Sequence, residues 1–234
     1  MNLIDLHNHI LPYVDDGAAD MEEALELLQM EAEQGVSVVC VTPHLRRKMF
    51  ESTDARVQEM FARLRTEAAQ IPIELHLSRE YYFDSNFEKL LEAQSLLSMG
   101  SQRVVLTEFS YRSSAETLLE ASRMITQARY QPLFAHVECY EAVQNDPELV
   151  RKLVDSGTMI QMNANAALGL EGWKKKFLCR RLLKQKLVHV IASDAHDPEN
   201  RTTNLRKCAV YLEKKIGREY TQQLMWENPL QILK

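Results

Sequence analysis

Cysteine is scarce in this sequence, and its placement argues against a disulfide framework or a cysteine-metal site. The 234 residues include four cysteines, which lie far apart and form no Cys-x-x-Cys pair. They are Cys40, Cys139, Cys179 and Cys208. Free thiols are typical of reducing compartments, so we expect a cytoplasmic protein.

Long apolar runs and a basic excess are also missing from the sequence. The longest apolar stretches, such as Val36–Val41, are strand-sized, whereas about 20 residues are needed to cross a bilayer. The N-terminus shows no basic region followed by a long apolar run, which would indicate a secretion signal. The net charge is −5, with both signs mixed along the chain, and general nucleic-acid binders usually carry a basic excess. We therefore expect neither membrane insertion nor nucleic-acid binding.

The sequence instead contains short apolar runs that alternate with longer amphipathic segments. Several of the runs are rich in β-branched residues and apolar throughout, as strands buried on both faces should be. The predicted strands are Leu3–Leu6, Val36–Val41, Ile73–Leu77, Arg103–Leu106, Pro132–Ala135, Thr158–Met162 and Val188–Ala192. The predicted helices, which have apolar residues at helical spacing, are Asp20–Glu33, Thr53–Ala69, Ala115–Ala128, Pro147–Ser156, Trp173–Lys184 and Asn204–Ile216.

This alternation predicts parallel strands joined by helical crossovers. Seven such units, without an obvious linker, favour one α/β domain over residues 1–234 that is closed into a barrel. An open doubly wound sheet is the alternative for the same alternation.

Potential metal ligands or other polar residues follow every predicted strand. They recur about one βα unit apart, roughly 30 residues, at His9, His44, Glu80, Glu108, His136, Asn163 and Asp194. The carboxyl ends of parallel strands meet on one face of a barrel, where such enzymes carry out their chemistry. The two histidines that do not fit this pattern, His76 and His189, are predicted to be structural.

Two pairs of these residues are spaced for a shared cation. His7 and His9 are two apart in an extended strand, so their imidazoles point to the same side. Asp194 and His196 repeat this spacing on the last strand. Nitrogen and oxygen donors without thiolate favour manganese, iron or zinc. The candidate ligands, enough for two or three ions, are His7, His9, Asp16, His44, Glu80, Glu108, His136, Asp194 and His196.

Such a cluster suits phosphoester chemistry. Clustered cations activate a water and hold a phosphoryl group, and either Glu80 or Glu108 could bridge two ions.

A competing pattern, Cys40–Arg46, fits the Cys-x5-Arg loop of cysteine phosphatases. We reject it because the loop has no glycine, Pro43 lacks an N–H donor, and Cys40 lies inside an apolar strand.

Several motifs resemble the PHP (polymerase and histidinol phosphatase) superfamily, and more narrowly the bacterial protein-tyrosine phosphatases of capsule and exopolysaccharide loci. The opening Asp5–Pro12, followed by Asp15–Ala18, carries the most specific part of the resemblance. Later matches are Thr42–His44, Glu80, Glu108–Phe109, Ala135–Glu138, Gln161–Asn163, Ser193–His196, Arg201, Glu227–Pro229 and Ile232–Leu233.

The resemblance implies a distorted (β/α)7 barrel with up to three ions, usually manganese. It groups the ligands as His7, His9, Glu80 and Asp194; Glu80, Glu108 and His136; and Asp16, His44 and His196, with Asp15 as a substitute for Asp16. The implied substrate is the phosphotyrosine cluster at the tail of a bacterial tyrosine kinase that controls polysaccharide export. The implied reaction is direct hydrolysis by a metal-activated hydroxide, with Arg201, Asp194 and His196 as catalytic residues.

One position departs from the resembling family. Cys139 follows Glu138 where an arginine that helps to bind the phosphate is expected, and a thiol cannot make the bidentate contact of a guanidinium. Arg201 is retained, and Arg46, Arg47 and Lys48 are possible compensating cations. We therefore expect weaker or altered phosphotyrosine activity. The alternatives are a histidinol phosphatase or other small-ester phosphatase, and a catalytically weak metal-binding regulator.

Overall fold

Nine strand segments and eleven α-helices alternate along the part of the chain that the structure describes, residues 2–234 of a computed structural model. The strands are β1 Leu3–Asp5, β2 Val36–Val41, β3 His44–Leu45, β4 Glu74–Leu77, β5 Glu80–Tyr82, β6 Val104–Glu108, β7 Gln131–Phe134, β8 Met159–Asn163 and β9 Val190–Ala192. The helices are α1 Met21–Glu33, α2 Asp54–Glu67, α3 Ser85–Glu92, α4 Ala115–Gln127, α5 Glu141–Asn145, α6 Glu148–Asp155, α7 Ala164–Leu168, α8 Trp173–Lys184, α9 Leu205–Ile216, α10 Arg218–Gln222 and α11 Asn228–Leu233. A 3-10 turn spans Val137–Cys139, and a π-helical turn spans Gln223–Glu227.

All the strand pairs are parallel, and they form two ladders. One ladder has the order β1-β2-β4, and the other has the order β3-β5-β6-β7-β8-β9. The short strands β3 and β5 continue β2 and β4 after two-residue interruptions. Pro43 lies in the first interruption and has no N–H to donate to a ladder. The segments therefore occupy seven positions around the sheet.

Hydrogen bonds between the ends of β1 and β9 close the sheet on itself. Asn8 forms an isolated parallel bridge with Ala195. The backbone N–H of His9 donates to the carbonyl of Ala195 at 2.8 Å, and that of Asp194 donates to the carbonyl of His7 at 2.8 Å. The prediction of a distorted (β/α)7 barrel is confirmed, and the broken strands are its distortion.

The observed boundaries differ from the predicted ones where polar residues end a strand. β6 extends to Glu108 and β8 to Asn163, two residues and one residue beyond the predicted apolar runs. The short helix α3 was not predicted; the side chain of Asp84 caps it by accepting from Asn86 N at 2.8 Å and Phe87 N at 3.0 Å. Glu108 and Asn163 are buried at the ends of their strands, and Asp84 caps a helix. Composition alone does not indicate these roles, because they depend on tertiary structure.

The core has two parts. Most buried apolar side chains pack between the strands and the surrounding helices. A smaller cluster is built from alternating strand residues, such as Ile4 and Leu6, together with Ile232 of α11. Trp226 and Leu230 from the C-terminal segment pack against it. Within residues 2–234, no helix combines the length and apolar character that crossing a membrane requires.

The loop after β1 folds back so closely that Gly17 has no room for a side chain. A Cβ on Gly17 would overlap the carbonyl oxygen of His9, which accepts from Ala18 N at 3.0 Å. We expect Gly17→Ala to lower the free energy of unfolding by about 3 kcal/mol or more, because backbone rather than a flexible side chain must move. Gly157→Ala is the matched control: its Cβ would meet nothing within 4 Å, and only its φ of +92° opposes alanine. Gly157→Ala should lower the free energy of unfolding by about 1 kcal/mol. Thermal denaturation measures both variants, and equal decreases in melting temperature would contradict this account.

Candidate metal centre

Glu80, the first residue of β5, lies at the centre of a buried group of histidines. Its Oε1 is 3.2 Å from His7 Nε2 and 3.1 Å from His136 Nε2. Its Oε2 is 3.3 Å from His9 Nε2 and 3.0 Å from His44 Nδ1. One carboxylate therefore contacts four imidazoles from three positions of the barrel, because His7 and His9 both follow β1. This geometry favours Glu80 over Glu108 as the carboxylate that would be shared between ions.

The structure brings all nine predicted ligands together at the carboxyl ends of the strands. Their donor atoms fall into four overlapping sets, and within each set the atoms lie within 4.8 Å of one another. The sets are His9, Asp16, His44 and His196; His7, His9 and Asp194; His7, Glu80 and His136; and His44, Glu80 and Glu108. The resemblance implied three groups of the same residues, and the structure divides them differently. His9 joins the Asp16 set, and His136 is grouped with His7 and Glu80. Glu108 is grouped with His44 and Glu80.

The chemistry of these atoms fits cations held between them. His44 Nδ1 and Glu80 Oε2 lie 3.0 Å apart, yet both are buried and neither makes a hydrogen bond of good geometry with any residue from 2 to 234. The same is true of Glu108 Oε1 and His196 Nε2. Ligands bound to one ion at about 2.0–2.2 Å are separated by roughly 3.0–3.6 Å. The observed separations match this spacing, while the geometry does not suit hydrogen bonds.

The electrostatics of the cluster also attract positive charge. Burial opposes protonation of His7, but the carboxylates of Glu80 and Asp194 outweigh it and raise the pKa of His7. Burial likewise opposes ionisation of Glu80, but the surrounding histidines hold its pKa well below the usual range. Burial lowers the pKa of His196 to about 2, aided by the neighbouring His9. His196 is therefore neutral, the form in which imidazole binds a metal.

Asp15 and Asp16 have different positions, although either was a candidate ligand. The buried side chain of Asp15 contacts His9 Nδ1 at 2.8 Å and accepts from the backbone N–H of His44 at 2.8 Å. It therefore orients the imidazole of His9 from behind. Asp16 is 46% exposed and lies 3.6 Å from His44 Nε2 and 3.7 Å from His196 Nε2. The geometry favours Asp16 as the metal ligand and Asp15 as the residue that orients the ligand His9.

Gln161 and Asn163 of β8 form a second layer that the motif match did not explain. Gln161 Oε1 lies 3.2 Å from His7 Nδ1 and accepts from the backbone N–H of His136 at 2.6 Å. Asn163 receives a hydrogen bond from Gln161 at 2.8 Å and donates to Asp194 Oδ2 at 2.7 Å. Contact with Gln161 Oε1 requires the proton of His7 on Nδ1, which leaves Nε2 free to bind a cation.

We therefore expect Gln161→Leu to weaken metal binding by about 10- to 100-fold, because His7 loses the group that fixes its tautomer. Calorimetric titration of the chelated protein with manganese measures this change in affinity. Gln131→Leu is the matched control, since Gln131 Nε2 donates to the carbonyl of Gly157 at 2.6 Å and is not part of the cluster. Unchanged affinity in Gln161→Leu would show that the tautomer is fixed by other means.

Asp5 was part of the opening motif but received no role from the sequence. It is fully buried, and it accepts from Ser193 N at 2.9 Å, from Ser193 Oγ at 2.6 Å and from Asn8 Nδ2 at 3.0 Å. These bonds join the first strand to the last directly below the ligands His7 and Asp194. A buried aspartate in an apolar strand is the signal from which such a role could have been predicted.

The predicted phosphate-binding arginines lie at different distances from the cluster. Arg201 lies 3.5 Å from Asp194 Oδ2 and 3.8 Å from Asp16 Oδ2, at the edge of the centre. The guanidinium of Arg46 stacks on the ring of Tyr82 at 4.1 Å. The guanidinium of Arg47 donates to Ser85 Oγ at 3.1 Å, at the start of α3. Arg201 is thus adjacent to the ligands, and the roles of Arg46 and Arg47 in substrate binding stay predictions.

Cys139, at the position of the expected arginine, contacts a cation from another element. The ammonium group of Lys175 in α8 lies 3.3 Å from Cys139 Sγ and 2.7 Å from Glu171 Oε2. Lys175 and Cys139 line a cavity of about 240 Å³. Lys175 was not among the predicted site residues, because it lies 36 residues from Cys139 along the chain.

The residues that were assigned structural roles lie outside the cluster. His76 contacts Glu74 at 2.8 Å, and His189 Nδ1 accepts from Ile160 N at 3.1 Å. Cys40 is buried in β2, and burial raises the pKa of its thiol, as expected for an inert cysteine. Tyr81, the residue after Glu80, is also buried, and its hydroxyl accepts from Leu97 N at 2.7 Å.

Comparison with known families identifies the chain. A family model described as capsular polysaccharide synthesis, CpsB/CapC, matches residues 3–234. The chain belongs to the CpsB/CapC family. The resemblance to capsule-locus phosphatases is confirmed.

Related CpsB/CapC proteins match over nearly their full length. The tyrosine-protein phosphatase CpsB of Streptococcus pneumoniae is 31% identical over 99% of this chain and 98% of its own length. The tyrosine-protein phosphatase YwqE of Bacillus subtilis is 29% identical over 95% of this chain and 88% of its own length.

Solved structures give the same family and a wider fold group. One solved structure matches with a TM-score of 0.92 and 28% identity. It comes from a study of YwqE from Bacillus subtilis and CpsB from Streptococcus pneumoniae, which are described as unique metal-dependent tyrosine phosphatases. It covers 99% of this chain and 94% of that chain. A phosphotriesterase homology protein from Escherichia coli matches with a TM-score of 0.68 and 13% identity, over 100% of this chain and 99% of that chain. This second match concerns the fold alone.

Proposed function

We propose that this chain is a metal-dependent protein-tyrosine phosphatase that hydrolyses phosphotyrosine in proteins of the capsule or exopolysaccharide pathway. Membership of the CpsB/CapC family, whose relatives are named tyrosine-protein phosphatases, supports this activity. The observation that carries the proposal is the convergence of four imidazoles on Glu80 beside Asp194 and Arg201.

Manganese is the metal that we propose, with two or three ions in the cluster. The proposed ligands are His7, His9, Asp16, His44, Glu80, Glu108, His136, Asp194 and His196. The set contains five histidines and four carboxylates, which bind manganese, iron or zinc. Bound there, the ions would supply Lewis acidity that activates water for attack on phosphorus.

The chain's own residues bind and orient the phosphate ester in this proposal. The Arg201 guanidinium lies at the rim of the cluster, 50% exposed, where it can contact the phosphoryl oxygens as charge develops on them. Asp194 would be one of the metal ligands, and the amide of Asn163 orients its carboxylate by donating to Oδ2 at 2.7 Å. The tyrosyl leaving group needs little acid help because a phenol has a pKa near 10. Since His196 is neutral, we assign it to the metal and not to proton donation.

The proposed substrate protein is the phosphotyrosine tail of a bacterial tyrosine kinase that regulates polysaccharide export, encountered in the cytoplasm. A disordered tail suits a site at the rim of the barrel, because an extended segment reaches the cluster without rearrangement of the fold. The family description in terms of capsular polysaccharide synthesis supports the pathway.

Chelation followed by manganese add-back tests the proposal. We expect the chelated protein to lose hydrolysis of a phosphotyrosine peptide and to regain it with manganese, because every proposed ligand is present. Phosphate release is measured, with histidinol phosphate and a phosphoserine peptide as parallel substrates. Activity on histidinol phosphate alone would move the chain to a small-ester phosphatase. Stoichiometric metal without release from any substrate would indicate a binding protein.

A further inference from the structure

Two cationic side chains from different elements line a cavity beside the candidate metal cluster. This cavity, about 240 Å³ in volume, includes Asp194 in its lining, so it borders the proposed ligands directly. Arg201 comes from the loop after β9, and Lys175 comes from the first turn of α8. Tyr111 adds an aromatic side chain that is 58% exposed. The cavity therefore offers two cations and an aromatic surface next to the cluster.

Lys175 is held in place by two partners. Its ammonium donates to Glu171 Oε2 at 2.7 Å and to Cys139 Sγ at 3.3 Å. An ammonium has three N–H donors, so one remains without a partner among residues 2–234. The side chains of Lys175 and Glu171 are 27% and 28% exposed. A long side chain that is already ordered loses less entropy when it binds a ligand.

The charge of Lys175 is maintained at physiological pH. Partial burial opposes it, but the carboxylate of Glu171 outweighs burial and raises the pKa of Lys175. Helix α8 itself contains no acidic residue between Trp173 and Lys184. Glu171 therefore anchors the ammonium but cannot fully neutralise the basic surface around it.

We infer that Lys175 is a second phosphoryl-binding cation, which contacts the phosphate ester together with Arg201 but from a different element of the fold. The inference rests on the proposed function and names a further residue of the same site. Cys139 accepts a hydrogen bond from the ammonium of Lys175 and helps to hold it beside the cavity. Lys175 thus provides the positive charge that a thiol at position 139 does not supply.

The test compares Lys175→Met with Lys174→Met in the manganese-loaded protein. Methionine keeps much of the length of the stem and removes the charge. Lys174 is exposed on the same helix and does not line the cavity, so it controls for a change in net charge. Binding of inorganic phosphate is measured by calorimetry, and kcat/KM is measured for para-nitrophenyl phosphate and for a phosphotyrosine peptide.

We expect Lys175→Met to weaken phosphate binding and to lower kcat/KM for both esters by similar factors, roughly 10- to 100-fold, since a charge-assisted hydrogen bond is lost. Lys174→Met should leave all three values unchanged. Lys175→Arg should retain phosphate affinity, because it restores the charge. Glu171→Gln should lower the affinity less than Lys175→Met, since the ammonium remains but loses its anchor.

Two results would overturn the inference. One is unchanged phosphate affinity in Lys175→Met with metal stoichiometry intact. The other is a loss confined to the peptide, which would mean that Lys175 contacts acidic residues of the substrate protein and not the phosphoryl group. If the unaltered protein hydrolyses neither ester, the proposed function fails; phosphate calorimetry still measures the role of Lys175 separately.

Discussion

Glu80→Gln is expected to remove at least one metal ion and to lower kcat/KM for a phosphotyrosine peptide by at least about 100-fold. The size of the effect follows from position: Glu80 lies within 3.3 Å of four imidazoles, so one substitution affects every pair of ligands around it. Loss of a residue that merely supports a ligand typically costs 10- to 100-fold. Glutamine keeps the shape of the side chain but removes its charge, and its amide hydrogens repel cations.

Metal content measured by atomic spectroscopy, together with steady-state kinetics, checks this result. His76→Ala is a suitable control, because His76 contacts Glu74 at the barrel surface and is outside the cluster. It should leave metal content and turnover unchanged. Full metal stoichiometry and normal turnover in Glu80→Gln would mean that Glu80 does not bind metal, and that the centre depends on Glu108.

Asp5→Ala is expected to lower the free energy of unfolding of the metal-free protein by about 3–5 kcal/mol. The substitution removes the buried acceptor of the Ser193 N–H. The hydroxyl of Ser193 and the amide of Asn8 lose their shorter bonds to Asp5 and keep only those to the carbonyls of His7, at 3.3 Å, and Cys40, at 3.2 Å. Each unsatisfied buried donor costs roughly 1–3 kcal/mol. The damage lies where the first and last strands meet, so we also expect weaker metal binding.

Chemical denaturation of the chelated protein measures this loss without the stabilisation that metal binding adds. Asp5→Asn keeps one oxygen acceptor and should lose less stability than Asp5→Ala. Asp155→Ala, at an exposed position at the end of α6, should change stability by less than about 0.5 kcal/mol. A small effect of Asp5→Ala, similar to that of Asp155→Ala, would show that the barrel closes without this carboxylate.

The order of strands and the identity of the clustered residues could be predicted from sequence because both depend on local patterns. Apolar runs fix where strands lie, and parallel connection brings the residues that follow them to one face. His9 and Asp194 are 185 residues apart but were predicted together for this reason, and the structure places them 3.6 Å apart. Family motifs added Asp16, which follows no strand directly.

Supporting contacts could not be predicted in the same way. The contact of Gln161 with His7 depends on the register of two strands 154 residues apart along the chain, and a local pattern carries no information on register between distant strands. The choice between Asp15 and Asp16 depends on how a loop turns. Lys175 reaches Cys139 only because the start of α8 packs beside the turn after β7. These are properties of tertiary packing.

Aromatic residues illustrate the same limit. Tyr81 and Phe83 are close to Glu80 in sequence, yet neither lines the cavity beside the cluster. Tyr81 is buried, and Phe83 packs against Phe87 and Phe109 at 5.7 and 5.3 Å. Tyr111, from the loop after β6, is the aromatic side chain that lines the cavity. Proximity in sequence to a ligand does not determine which side chains reach the cavity.

The pairing of the chain's first strand with its last has a consequence during synthesis. His7 and His9 leave the ribosome early, but their partners Asp194 and His196 are added about 190 residues later. At about 5–20 residues per second, the donor set stays incomplete for roughly 10–40 seconds. One edge of β1 lacks its neighbour during that time, and exposed strand edges are sites of aggregation. The complete donor set therefore exists only after the last strand has been synthesised and has paired with the first.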